Sequence, residues 1–210
     1  MTAPLDYESE AWAAGCKIVV GLDEVGRGAL AGPVLVGAVA LHPGQQFDGC
    51  DDSKSLTAAR RSELTDVIVE RSLLCQLGAA STKEVDRYSV SGATALAMHR
   101  ALRRFPAEPD LLLVDGISKI AGLGARQIAI VRGDSASHSI ACASVVAKTV
   151  RDRLMDRLDP RYPGYGWASN KGYSNRAHRR TLRECGPTPH HRRSFRGTLV
   201  PRFFIGDGGS

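Results

Sequence analysis

The sequence predicts an α/β domain. Three observations carry that expectation: short apolar runs of strand length alternate with segments of helical period, acidic residues stand where several of those runs stop, and glycines punctuate the junctions. The 210 residues suffice for one domain with a real core, and 43% hydrophobic with 24% charged residues is the balance of an ordinary globular chain.

Residues 18–22 are a run short enough for a buried strand, and it ends on Asp23-Glu24. Gly26, Gly28, Gly32 and Pro33 then break the chain before a second apolar run over 34–41, which reads as strand, glycine-rich turn, strand. Over 57–70, Leu64, Val67 and Ile68 recur at helical spacing behind Thr57, whose hydroxyl suits an N-cap. A strand is expected near 73–79. A helix follows over 91–105, with Ala95, Leu96, Met98, Ala101 and Leu102 as its apolar stripe and Pro106 and Pro109 closing it. Strands over 111–114 and 127–131 end at Asp115-Gly116 and near Asp134, and 139–158 is a long helix rich in Ala and Val. Beyond Pro160 the chain becomes basic, aromatic and glycine-containing, with a short helix expected over 176–185. The expected organisation is an N-terminal segment (1–16), one domain over 17–200 with a helical part from about residue 160, and a flexible tail (201–210).

The formal net charge of +6 favours a polyanionic partner without settling that there is one. Residues 1–15 carry Asp6, Glu8 and Glu10 and have neither a basic start nor an apolar run, so no secretory signal is expected. No uninterrupted apolar stretch reaches the length needed to span a membrane. Cys16, Cys50, Cys75, Cys142 and Cys185 are scattered and form no CxxC, so they are expected to be reduced, mostly buried thiols of a cytoplasmic protein.

Asp23, Asp115 and Asp134 fall at or just after expected strand ends, where open α/β sheets place their sites. Carboxylates gathered there repel one another unless cations neutralise them. Hard oxygen donors suit Mg²⁺ or Mn²⁺, and two such ions about 4 Å apart support in-line phosphoryl chemistry. Strand-end aspartates also cap helices or sit in turns, so position alone leaves both readings open.

The text around these carboxylates is more specific. GLDEVGRGALAGPV (21–34) resembles the first signature of type 2 ribonucleases H, and Asp52-Ser53-Lys54 matches that family's DSK element. Val114-Asp115-Gly116 matches its VDG strand end, and Gly133-Asp134, Ser139-Ile140 and ASVVAK (143–148) match its next block. Tyr165-Gly166-Trp167, Asn170-Lys171-Gly172-Tyr173 and His191-Arg192-Arg193-Ser194-Phe195 complete an ordered series from about residue 17 to 196. The departures are modest: Ser55 stands where the family often has a second Lys, Cys142 where Ala is frequent, and YSVSG (88–92) differs from the usual pattern there.

The resemblance implies a ribonuclease H-like fold, with a mixed five-stranded sheet flanked by helices and a C-terminal helical extension. It implies an endonuclease that cuts the RNA strand of RNA–DNA hybrids and cuts at ribonucleotides embedded in duplex DNA, working with Mn²⁺ or Mg²⁺ as a monomer. The implied metal-binding carboxylates are Asp23, Glu24, Asp115 and Asp134. Neighbours on a strand point to opposite faces, so Asp23 and Glu24 share a site only where the strand ends or bulges. Gly26, Arg27 and Gly28 are implied to read the 2′-hydroxyl, and Tyr173 to pack on the sugar beside the scissile phosphate. Lys54, Lys148 and Lys171 stand at motif positions suited to phosphate, although Lys148 suits an ion pair at the core edge equally well. The basic stretch from His178 to Arg196 is either part of a duplex-binding face or a solvated helix face. A DNA-cutting resolvase or integrase on the same fold would not need the glycine-arginine-glycine and Tyr173 elements, and a non-catalytic hybrid binder would have no use for four carboxylates.

Overall fold

The computed structural model describes residues 2–51, 53 and 56–198, so Lys54 and the expected tail lie outside the described residues. Five strands form one mixed sheet: β1 (Val19–Val25), β2 (Val34–Ala40), β3 (Leu74–Ala80), β4 (Leu111–Asp115) and β5 (Arg126–Ile130), in the order β3-β2-β1-β4-β5. β1, β2 and β3 pair antiparallel, whereas β4 and β5 continue from β1 as parallel strands. The run of hydrophobic residues in β1, β2 and β4 follows from helices covering both faces of the sheet.

On one face lies α5 (His138–Leu158), the longest helix together with α3 (Thr82–Leu102), which lies on the other; α2 (Ala58–Arg71) packs on α5. Strand parity divides the core between the faces. Val20, Leu22, Val36, Leu112 and Val114 meet Ala93, Ala97 and Met98 of α3, while Val19, Leu111 and Leu113 meet Ile140 of α5. At Gly21 a β-carbon would strike the Ser139 backbone, so the missing side chain is what lets α5 lie against β1.

The helix expected over 91–105 begins nine residues earlier. Ser81 and Glu84 form a capping box, Ser81 Oγ accepting from the Glu84 amide at 3.3 Å and Glu84 accepting from the Ser81 amide at 2.8 Å. Ser89, at φ 65° and ψ 168°, then kinks the helix and shifts its apolar stripe, which hides the first half from a periodicity reading. α1 (Asp6–Ala13) was not anticipated either. It is held by Glu8, which is fully buried and accepts from Ser137 Oγ (2.6 Å), Ser139 Oγ (2.6 Å) and the Ser139 amide (2.8 Å) at the start of α5.

The C-terminal part holds two short helices beyond α4 (Gly133–Ala136): α6 (Trp167–Asn170) and α7 (Arg176–Cys185). It closes over Leu30 and Ala31 around Met155, Tyr165, Trp167 and Leu182. All five cysteines are free, but only Cys50 and Cys142 are buried; Cys16 and Cys75 are half-buried and Cys185 is exposed. No helix among the described residues is long and apolar enough to cross a membrane.

Candidate active site

The parallel register brings the first two carboxylates together. Leu22 pairs with Val114 at the end of the β1–β4 ladder, so Asp23 and Asp115 are the next residues on neighbouring strands, and both have the parity that faces α5. Glu24 has the opposite parity. It stands at the rim, where it lines both the cleft containing Asp23 and Asp115 and the groove leading under α3. Asp134 reaches the same cleft from α4, a short helix folded against β4 by the Gly133 amide, which donates to Asp115 Oδ1 at 2.7 Å. The cleft, of about 400 Å³, also takes in Ser53, Ser144, Lys148 and Tyr173.

The electrostatics are those of crowded acids. Burial pushes the Asp23 carboxyl up to about 8, the Asp115 and Glu24 charges add to the rise, and hydrogen bonds from the Ser144 hydroxyl and the Glu24 amide oppose it. Glu24 is also raised, by burial and by Asp115, against the pull of Arg27, whose Nη1 stands 3.5 Å from its carboxylate. Among the described residues no three His, Cys, Asp or Glu side chains converge as a ready-made metal cage. Ser144, inside the ASVVAK segment, and Ser53, whose Oγ lies 2.9 Å from Ser144 Oγ, buttress Asp23; the sequence reading quoted both without assigning them that task.

Gly26, at φ 92°, and exposed Arg27 and Gly28 form the turn beside these acids. Two fully buried arginines fix it. Arg151 of α5 donates to the carbonyls of Pro33 (3.1 Å), Ala31 (3.1 Å) and Lys171 (3.0 Å), and Arg192 donates to those of Gly32 (3.1 and 2.9 Å) and Arg27 (2.7 Å). Neither was singled out from sequence. The available signal was Arg151 itself, a cation in an apolar stripe with Ala147, Met155 and Leu158. The Arg151 guanidinium also sits 5.3 Å from the Tyr173 ring centroid, and that ring is 36% exposed at the cleft.

The lysines divide. Lys148 lines the cleft and also donates to Asp152 Oδ1 at 2.8 Å, so both sequence readings have a geometric basis. Lys171 turns onto Asp156 and the Ala168 carbonyl instead of lining the cleft. Arg176, Arg179, Arg180 and Arg183 of α7 are all exposed and fall on one stripe of the helix, opposite buried His178 and Leu182.

Residues 20–198 match the family model of ribonuclease HII. The chain belongs to the ribonuclease HII family. It is 49% identical to the ribonuclease HII of Cereibacter sphaeroides over 190 residues, covering 90% of this chain and 89% of that one. Among solved structures, the ribonuclease H2 of Pyrococcus horikoshii superposes with a TM-score of 0.73 at 24% identity, over 87% of this chain and 95% of that one. The Mn²⁺ complex of Bst-RNase HIII superposes with a TM-score of 0.61 at 21% identity, over 86% and 68%. These two likenesses show the ribonuclease H-like fold. As a ribonuclease HII, the protein is an endoribonuclease that cuts the RNA strand of RNA–DNA hybrids.

Proposed function

We propose that this ribonuclease HII cuts both long hybrids and single ribonucleotides embedded in duplex DNA, leaving a 3′-hydroxyl and a 5′-phosphate, with two divalent cations, Mn²⁺ or Mg²⁺, held by Asp23, Glu24, Asp115 and Asp134. The observation that carries the reading is the in-register adjacency of Asp23 and Asp115 in a cleft that Glu24 and Asp134 also line. The donor set fits hard cations. All four groups are carboxylates, and the raised Asp23 carboxyl is the signature of negative charge crowded without a counter-ion. Such ions are commonly held by one or two carboxylates with the substrate's own phosphate oxygens, so a site without a three-ligand protein cage suits them. The Mn²⁺ bound by Bst-RNase HIII supports the same reading. When bound, such ions activate an attacking water and stabilise the leaving oxygen.

The chain's own residues supply the selection. The Gly26-Arg27-Gly28 turn has no side chain at Gly28 to keep a ribose away, so its backbone groups can meet the 2′-hydroxyl that separates RNA from DNA. The Tyr173 ring packs on the sugar 3′ of the cut, favouring a deoxyribose there, and Lys148 steadies a phosphate over the cleft. The arginine stripe of α7 grips the duplex backbone. Residues 17–200 form the catalytic unit, and removal of ribonucleotides misplaced in DNA is the biological task. The test uses three duplexes of one sequence: all-DNA, DNA with one ribonucleotide, and RNA–DNA hybrid. The expected result is cleavage of the latter two and none of the first. Cutting of the all-DNA duplex, or no cut at a lone ribonucleotide, would overturn the reading.

A further inference from the structure

Tyr173 is held from two sides. Its ring lies against Arg151, and its carbonyl accepts from His178 Nδ1 at 3.0 Å. His178 Nε2 is in turn 2.9 Å from His191 Nε2, and His191 Nδ1 is 2.9 Å from the Thr188 amide nitrogen. Both histidines are buried.

The partners at the ends leave one arrangement of protons. The Thr188 amide can only donate, so His191 Nδ1 accepts and the proton of a neutral His191 sits on Nε2. Trp167 Nε1, which also only donates, points at His178 Nε2 from 3.4 Å, so that nitrogen must be bare. The Tyr173 carbonyl only accepts, so His178 carries its proton on Nδ1. Three independent groups of fixed role therefore agree on one direction: Thr188 N–H to His191, His191 Nε2–H to His178, His178 Nδ1–H to the Tyr173 carbonyl. A second proton on either ring would face another N–H. Tyr165, Trp167 and His190 surround the pair, with Arg161 facing His190. Burial and this cationic company also hold both rings neutral, His191 being pushed down to about 3.

We propose that His178 and His191 are positioning residues, a one-way relay of neutral imidazoles that fixes the Tyr173 backbone and so sets the cleavage point relative to the RNA–DNA junction. The proposal rests on Tyr173 being the sugar platform. It explains why the segment after Pro187, on the far side of α7 from the acids, is tied to the cleft: it orders the last link before the substrate. His191 had been read from sequence as structural, and His178 only as part of a basic stretch.

The relay is tested on the full chain in two ways. Long-range proton–nitrogen correlation NMR on histidine-labelled, metal-free protein should show His178 protonated at Nδ1 and His191 at Nε2, both unchanged from about pH 8 to about pH 5.5. A charged ring or the opposite tautomer in that range would overturn the hydrogen-bond order. In single-turnover cleavage of a one-ribonucleotide duplex, His178→Ala should slow the reaction about tenfold, the worth of one buried hydrogen bond. His178→Asn, whose amide N–H stands near the Nδ1 position, should recover to within about threefold, which a merely structural loss would not do. In a Tyr173→Ala background, His178→Ala should cost less than about twofold. Its full cost in that background would show that His178 does not act through Tyr173. If Tyr173→Ala alone left junction cleavage unchanged, the sugar-platform reading would fall and take cleavage-point selection with it, while the tautomers would still judge the relay.

Discussion

At Asp23 the protein holds a carboxyl group where water cannot stabilise its charge, beside Asp115 and Glu24, which repel that charge. Only a cation gives such a group a reason to ionise, and the amide isostere removes the charge while keeping the shape. Asp23→Asn and Asp115→Asn should therefore reduce hybrid cleavage to background at saturating Mg²⁺ or Mn²⁺, while the metal-free proteins melt no lower than wild type. Near-normal turnover in both would remove the carboxylates from the reaction. Tyr173 allows a finer test. Its exposed ring acts by shape and its hydroxyl is dispensable, so Tyr173→Phe should keep most cleavage at a single embedded ribonucleotide. Tyr173→Ala should lose about 1–3 kcal/mol of contact, a fall of roughly 5- to 150-fold. The loss on a long hybrid should differ, since few of its cleavage points have a deoxyribose on the 3′ side. Equal losses for Phe and Ala would show that the hydroxyl carries the effect.

At the scale of elements, function depends on which face each one turns. β1 delivers Asp23 to the α5 face and Glu24 to the rim because successive side chains alternate, and α7 turns four arginines outward because Leu182 and His178 are drawn in. If that arginine stripe lies on the duplex, each phosphate contact releases counterions and adds about 0.9 to the log–log salt slope. Arg179→Glu with Arg180→Glu should then flatten the salt dependence of substrate binding by about 2. An unchanged slope would return the helix to solvent. The glycine-arginine-glycine turn is likewise an element-level construction, since two buried guanidinium groups from α5 and the C-terminal segment grip the carbonyls on either side of it. The Arg192 guanidinium is pushed down to about 10, by burial first and then by Arg151, which reflects how much water that grip excludes.

Over the whole molecule, the C-terminal part is fastened to the sheet by groups that must stay uncharged. His191 is pushed down to about 3 by burial and by His178 and His190, and burial lowers His178 as well. A histidine that takes a proton only when unfolded contributes its full stability above its unfolded value, about 6.5, and loses it as pH falls toward the folded value. Stability should therefore decline from about pH 6.5 downward, by up to about 1.4 kcal/mol per pH unit for His191. Denaturant titrations of wild type and His191→Asn at several pH values check this, with the variant showing the shallower decline. Parallel curves would mean that His191 titrates normally in the fold.

The sequence by itself determined the elements whose signals are local. Thr57 caps α2, the arginine-rich helix spans the residues expected of it, and the strand ends carry Asp23 and Asp115, because caps, periods and chain breaks act within a turn or two. Ordered motifs also gave the family and the acidic set. What only the tertiary structure decided is how distant segments meet: Glu8 under the start of α5, the Ser89 kink, Ser53 and Ser144 behind Asp23, Lys171 turned onto Asp156, and Arg151, Arg192 and the two histidines behind the recognition loops. Each is a buried polar group, whose energy depends on the partners that replace water, and those partners lie far along the chain. No local pattern records that pairing, and the close packing of sheet, α5 and C-terminal segment decides it.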